Sequence, residues 1–518
     1  MKKYTPPLTI IFIWHPADKI SNSLIEYSSS LLSKDENTPF SRSVNLPIYY
    51  YTSTKKGTPS ELKNFTGKTI IFAFISKEIT SDNEWSTYIE NIPLEKDVFL
   101  VPVALDRTAF GLKGSCANKN YIRAFDFEEE YRSDYMFISI AHEIYRCSLN
   151  ETYDELALGK DNAIKLFLSH AKDGKNGIEI AKSLKRFIDN SSMRSFFDAT
   201  DIAPGYQFDE EIMEHIKMST IIAIHSDIYS SRYWCQREIL CAKQNSRPII
   251  AVDSLEVFED RRFPFASNIP GVHVHYSASF SEKELLRIIK AALLETLRFN
   301  YSTLLLKTYK DIGWISDQAE ILARPPEVSD IEKMFFEKDD CIQYKNKLFV
   351  YPDPPVYADE IAFLKSLHIK VETPLTTNIC LLNDKKVGIS IANPSEEELS
   401  VIGQTKIHLA ILSQEIARYL LSNNAKLIYG GDFRKDGFTE FIYHEARVLQ
   451  TRLQRNELHL QSYIAWPIYI KDRDNAKNWK AENRDISEII QNSIPPPKSA
   501  AQIVMKTGRE PRAVVKLA

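Results

Sequence analysis

Neither a disulfide framework nor a metal cluster is visible in the 518 residues. The six cysteines, Cys116, Cys147, Cys235, Cys241, Cys341 and Cys380, are scattered, and no two form a CxxC pair. That spacing argues against a cross-linked scaffold and against a zinc site; no metal is expected, and reduced thiols in a cytoplasm are. Long apolar runs are missing too. No stretch reaches the roughly 18 residues that a membrane-spanning helix needs. The opening MKKYTPPLTIIFIWHPAD is apolar only until His15 and Asp18 and has no small-residue cleavage site, so it reads as a buried strand rather than a signal peptide. Positive charge is not in surplus. At a net charge of −4, bulk electrostatics predicts no attraction to nucleic acid or to a membrane.

What is present is ordinary globular composition, 44% apolar and 26% charged. The length implies about three domains. Short β-rich runs alternate with amphipathic segments, the pattern of parallel sheets covered by helices on both faces. The middle third is clearest. Strands are expected at 164–168, 194–197, 220–224, 248–252 and 272–275. Helices are expected between them, at 210–217 and 234–243 among others. Ser281 and Glu284 form a capping-box pattern before a final helix. Five strands with helical crossovers make a flavodoxin-like plan.

The first 150 residues repeat this plan weakly. Residues 11–18 align with 166–173 so that Phe12 matches Phe167, Trp14 matches Ser169, His15 matches His170 and Asp18 matches Asp173. An internal duplication follows. Residues 301–384 read as a helical, proline-containing connector with a short strand at 347–351. From 387 a third α/β unit begins. Strands are expected at 387–392, 426–429 and 463–470. Helices are expected at 439–453 and at 407–421, the latter with Leu409, Leu412, Ile416 and Leu420 on one face. Residues 496–518 form a basic tail.

In the middle unit, Trp234 and Glu238 lie four apart on one helix face. Ser169 and His170 follow the first strand, and Asp198 follows the second. These loops leave the carboxyl ends of parallel strands, where open α/β sheets bind ligands. The runs LFLSHA, FFDATDIAPGYQFDEEI and SDIYSSRYWCQREI, in that order, resemble the three boxes of a TIR domain over residues 163–300. TIR domains are either adaptors or enzymes that split NAD. The enzymes carry a glutamate in a WCxxE context, so the resemblance makes Glu238 the catalytic carboxylate. It places Ser169, His170, Phe197, Asp198, Ser226 and Trp234 around the substrate. In the first unit the residue four after Trp85 is Ile89, and Trp14 stands for Ser169. That unit is therefore expected to be a degenerate, inactive TIR-like module.

Near the other end, KLIYGGDFRKDGFTE closes a strand on Gly430 and Gly431 and opens a helix at Thr439. Glycines let backbone approach a phosphate, helix N-terminal amides favour anions, and Arg434 and Lys435 add charge. With VGISIANPS upstream, the segment resembles a SLOG domain, a Rossmann-like nucleotide-binding fold. Tyr429 replaces the proline of the hydrolytic PGGxGTxxE motif, and five residues separate Gly431 from Gly437, so binding without turnover is expected.

TIR followed by SLOG resembles the effector architecture of bacterial anti-phage systems of the Thoeris type. The resemblance implies an NAD glycohydrolase with NAD as substrate and no resident cofactor. It implies activation by a cyclic ADP-ribose-like signal from a separate TIR protein, and assembly into a homo-oligomer. The alternatives are an ADP-ribosyl cyclase and a non-catalytic scaffold. The expected domains are 1–150, 160–300, 301–384 and 385–495, followed by the tail.

Overall fold

The computed structural model describes residues 3–34, 43–53, 57–62, 67–149, 163–172, 175–191, 197–200, 208–259, 261–275, 280–331, 347–377, 382–383, 385–391, 394–431, 438–454, 460–464 and 473–491. The basic tail, with Arg434 and Lys435, lies outside them. The chain divides into two compact units, residues 1–352 with 396–404, and residues 353–395 with 405–518.

Two five-stranded parallel sheets build the first unit. One comprises β1 (Leu8–Trp14), β2 (Ile48–Tyr51), β3 (Lys68–Ile75), β4 (Val98–Ala104) and β5 (Ile122–Arg123) in the order 2-1-3-4-5. The other comprises β6 (Ile164–His170), β7 (Phe197–Thr200), β8 (Thr220–His225), β9 (Ile249–Asp253) and β10 (Gly271–His273) in the order 7-6-8-9-10. Renumbered from their own first strands, the two orders are identical, and this is the flavodoxin-like order expected for the middle unit. β1 is apolar at every position except Thr9, because helices cover both of its faces. Leu8, Ile10, Phe12 and Trp14 pack toward α1 (Lys19–Leu32) and α4 (Arg132–Leu149), whereas Ile11 and Ile13 pack toward α2 (Lys77–Thr80) and α3 (Asn83–Glu90).

In the second sheet, Ile164, Leu166 and Leu168 pack toward α5 (Lys175–Asn190) and α8 (Glu282–Asp311). Phe167 and Ala171 pack toward α6 (Phe208–Met218) and α7 (Tyr233–Gln244). The Ser281–Glu284 capping box is formed at the start of α8. One hydrophobic cluster runs from β1 through α4 and α8 to β6, so the two modules share a core. At their seam Lys290 contacts Asp134 and donates to the Tyr27 hydroxyl at 2.7 Å, and Tyr135 donates to Glu282 at 2.6 Å.

These faces correct the sequence alignment of the two modules. Phe12 lies in the shared cluster and Phe167 on the opposite face of its sheet, so they are not counterparts. A one-residue slip along a strand reverses every side chain. β1 and β6 are both seven residues long; matched end to end, Ile13 corresponds to Ser169. Matching β3 with β8 by face pairs Ala73 with Ala223 and Phe74 with Ile224. Carried forward without a gap, Ser76 pairs with Ser226, Ile79 with Tyr229, and the buried pair Trp85 and Ile89 with Cys235 and Ile239. The counterpart of Glu238 is then Tyr88, not Ile89, and that of Ser169 is Ile13, not Trp14.

Beyond α8 the connector forms more structure than the sequence indicates. β12 (Lys347–Val350) stands where a strand is expected. It pairs in parallel with β11 (Glu320–Ile321), Glu320 opposite Phe349 and Ile321 opposite Val350; β13 (Ile369–Glu372) belongs to the second unit. Residues 396–404 pack within the first unit. The Tyr50 amide donates to Gly403 O at 2.8 Å, and Gly403, at φ +70°, lies against the Tyr51 ring where a Cβ would clash.

The second unit contains a parallel sheet of β14 (Lys386–Ile389), β15 (Lys426–Gly431), β16 (Leu460–Ile464) and β17 (Ser487–Gln491), in that order. Three helices accompany it. They are α11 (Lys406–Ser422), α12 (Phe438–Leu453) and α13 (Arg473–Glu482), numbered after α9 (Ala358–Ser366) and α10 (Glu396–Ser400). α11 splits the expected apolar face: Leu420 is buried and Leu409 half-buried, as that face requires, but the two residues between them are not. Leu412 and Ile416 are 55% and 43% exposed, while Arg418 is buried and makes two hydrogen bonds to the buried Glu445, at 2.8 and 3.0 Å. A paired buried charge takes the inner face there.

Candidate active site

At the carboxyl edge of the second sheet, β6 ends in Ser169 and His170, and β8 ends in His225 before Ser226. A turn of 3-10 helix, Tyr229–Ser231, then leads into α7. Glu238 falls on the inner side of α7, with Cys235 and Ile239. The result is a line of buried hydroxyls ending on a carboxylate. Ser169 Oγ donates to Glu238 Oε2 at 2.5 Å and lies 2.6 Å from the Tyr229 hydroxyl. Ser169 has one proton and gives it to Glu238, so the Tyr229 hydroxyl is the donor to Ser169. Exposure is 1% for Ser169, 0% for Tyr229 and 7% for Glu238.

Burial pushes the Glu238 carboxyl up to about 7, against the opposing hydrogen bond from Ser169 and the charge of Lys172. It also raises the Tyr229 phenol well above its ordinary range, so the phenol keeps its proton. Behind Tyr229 the His225 ring stacks at 4.4 Å, and His225 Nδ1 is 3.6 Å from Glu259 Oε2. Burial alone would raise Glu259, but His225 and Ser230 outweigh it and hold the carboxyl at about 2. Glu259 is therefore a fixed negative charge at neutral pH, and Glu238 is a carboxyl that titrates there.

Ser169 and Glu238, both expected around the site, meet directly. Trp234 is half-buried one helical turn before Glu238, edge-on to Tyr233 at 5.2 Å. His170 turns back on its own strand, with Nδ1 3.0 Å from Leu168 O. Phe197 and Asp198 depart from expectation. They sit inside β7, paired with Ile164 and Lys165 at the start of β6. Five residues along a strand span about 16 Å, so they lie at the far end of the sheet from Ser169. Among the described residues the second strand comprises Phe197–Thr200, three residues past the end expected for it, and residues 192–196 and 201–207 lie outside the described ones. Ser226 Oγ is buried without a hydrogen-bond partner among the described residues, but so is Ser76 Oγ at the matching place in the first module. A feature common to both modules does not by itself mark the site. Sequence reasoning did not single out Tyr229 or His225; Tyr229 lay within the third box, unremarked.

In the second unit Gly430 and Gly431 are the last two ladder residues of β15, paired with Tyr463 and Ile464, rather than a turn after it. Open space surrounds the Cβ position at Gly430. Thr439 is buried in the first turn of α12, and residues 432–437 lie outside the described ones.

An open parallel sheet in this strand order, with a buried carboxyl at its carboxyl edge, defines a flavodoxin-like domain. Its family is more specific: residues 166–287 match the family model of the TIR domain, and residues 381–516 match that of SLOG cluster2. The chain therefore carries a TIR–SLOG architecture on an α/β fold. TIR is a family that often cleaves NAD, and the pair of domains fits a defence-type effector. No curated protein and no solved structure gives a significant match to the chain. Among the described residues, no helix is long and apolar enough to cross a membrane.

Proposed function

We propose that the chain is an NAD glycohydrolase of Thoeris-type anti-phage defence, acting in the cytoplasm. Its TIR domain cleaves NAD to nicotinamide and ADP-ribose when its SLOG domain binds a cyclic ADP-ribose-type signal. The observation that carries the reading is Glu238, a carboxyl buried at the carboxyl edge of a TIR sheet and held by Ser169. Nicotinamide leaves NAD as a neutral base, taking the electron pair of the C–N bond and leaving positive charge on the ribose. A carboxylate fixed in a low-dielectric site stabilises that charge as it develops. Water then adds to the ribose carbon and releases a proton. With its carboxyl at about 7, Glu238 is roughly half ionised at neutral pH, so cleavage is expected to rise between pH 6 and 8.

The SLOG domain supplies the receptor in this reading. Gly430, Gly431, Arg434, Lys435 and Thr439 would hold the signal's phosphates, and a separate TIR protein would make the signal. Binding would shift the chain toward a homo-oligomer. The first module, with Tyr88 in place of the carboxylate, would be a degenerate TIR-like partner without turnover.

The test follows nicotinamide release from NAD by the full chain, with and without cyclic ADP-ribose isomers, beside Glu238→Gln. Ligand-dependent release that falls by about two orders of magnitude in the variant supports the reading. Release that survives in Glu238→Gln, or none from folded protein under any ligand, overturns it. A cyclic product would assign the chain as a cyclase.

A further inference from the structure

We propose that Tyr229 and Ser169 are positioning residues for Glu238. In this inference, which rests on the reading of Glu238 above, they form a one-way chain of donors that fixes the carboxylate and favours its ionised form. The Tyr229 hydroxyl occupies the acceptor side of Ser169 Oγ at 2.6 Å and leaves the serine proton for Glu238 at 2.5 Å. Tyr229 itself is fully buried and stacked on His225.

The first module supplies independent support. At the places of Ser169, Tyr229 and Glu238 it has Ile13, Ile79 and Tyr88, and the two isoleucines are fully buried. All three groups are absent together, yet the strand order is unchanged. The fold therefore needs neither hydroxyl. A buried hydroxyl is costly unless it is paired. Its presence only where the carboxylate is present ties it to the carboxylate.

The groups that face this chain come from four places. They are Lys172 after β6, His225 on β8, Cys235 on α7 and Glu259 after β9. Of these, Lys172 acts on Glu238 directly. Removing the serine donor leaves burial less opposed and shifts Glu238 toward its protonated form.

The experiment titrates the Glu238 carboxyl in the full chain by infrared difference spectroscopy between pH 5 and 9, with Glu238→Gln identifying the band. Ser169→Ala should move the midpoint up by about one pH unit, a tenfold change in the proton equilibrium. Tyr229→Phe should move it by about half as much, and Ser169→Thr, which keeps the hydroxyl, should restore it. If the chain cleaves NAD, the acid limb of its pH profile should move with the midpoint. In that case kcat falls while KM stays within about twofold. Midpoints unmoved in both folded variants overturn the inference. So does a fall in kcat with an unmoved acid limb, because packing alone would produce it. The titration reads the carboxyl without turnover, so a chain that never cleaves NAD defeats the proposed function and still leaves this inference testable.

Discussion

At the carboxyl edge of the first sheet, Ile13, Ile79 and Tyr88 occupy the places that Ser169, Tyr229 and Glu238 hold in the second. Strand order, the length of the first strand and the packing faces are the same. One module fills its edge with two isoleucines and a tyrosine whose hydroxyl donates away to Ser60 O at 3.0 Å, and the other fills it with hydroxyls leading to a carboxyl. Polar groups at such depth contribute little to stability even when paired, and they cost stability when unpaired. The first module is thus the cheaper way to build this edge, and the second departs from it around Glu238.

The largest expected effect comes from forcing the first module to imitate the second. Ile13→Ser together with Tyr88→Glu removes a fully buried isoleucine and adds a carboxyl that Ile79 cannot support. The cavity and the unpaired polar groups should cost about 4 kcal/mol in urea unfolding at pH 8. In a Glu238→Gln background the graft should restore no NAD cleavage. Unchanged stability would mean that the first edge already tolerates polar groups, and the contrast between the modules would fail.

The next effect runs the other way. Glu238 has a folded pKa of about 7 against an ordinary value of 4.5. Between those values the folded chain binds more protons than the unfolded chain, so stability falls as pH rises through that window and levels off above it. The gap corresponds to about 3 kcal/mol. Glu238→Gln should therefore match the wild type near pH 4 and be more stable by about that amount at pH 8. Unfolding curves at the two pH values check this. Equal stability at both would show that Glu238 is solvated, which its 7% exposure opposes.

The same contrast explains what the sequence made legible. Strands buried on both faces read as apolar runs, so β1, β3, β4, β6, β8 and β9 were plain. For the same reason those runs carry no alternation. The likeness of Phe12 to Phe167 and of His15 to His170 therefore drew the alignment one residue out of phase, and only the packing faces reset it. Glu238 was legible because WCQRE is a motif. Tyr229 was not, because a tyrosine in a turn looks like core until its hydroxyl is found on Ser169. Phe197 and Asp198 were misplaced because the second strand continues to Thr200, past the end of its expected run. α11 misled most. Its leucines and isoleucines keep helical spacing, but the Arg418–Glu445 pair claims the inner face, and no periodicity reveals a buried ion pair.

The smallest expected effect sharpens the comparison where the modules agree. Ser76 and Ser226 end matching strands. Each gives its carbonyl to the residue three along, Ile79 and Tyr229, and each buries a hydroxyl with no partner among the described residues. An unpaired buried hydroxyl contributes no stability, so Ser76→Ala and Ser226→Ala should each change unfolding free energy by less than about 1 kcal/mol, in the same direction. If Ser226 serves only the fold, Ser226→Ala also leaves the KM for NAD within about twofold. A KM raised by tenfold or more would instead give Ser226 a contact with substrate that Ser76 has no occasion to make. The polar edge of the second module would then extend one residue beyond the three that distinguish it here.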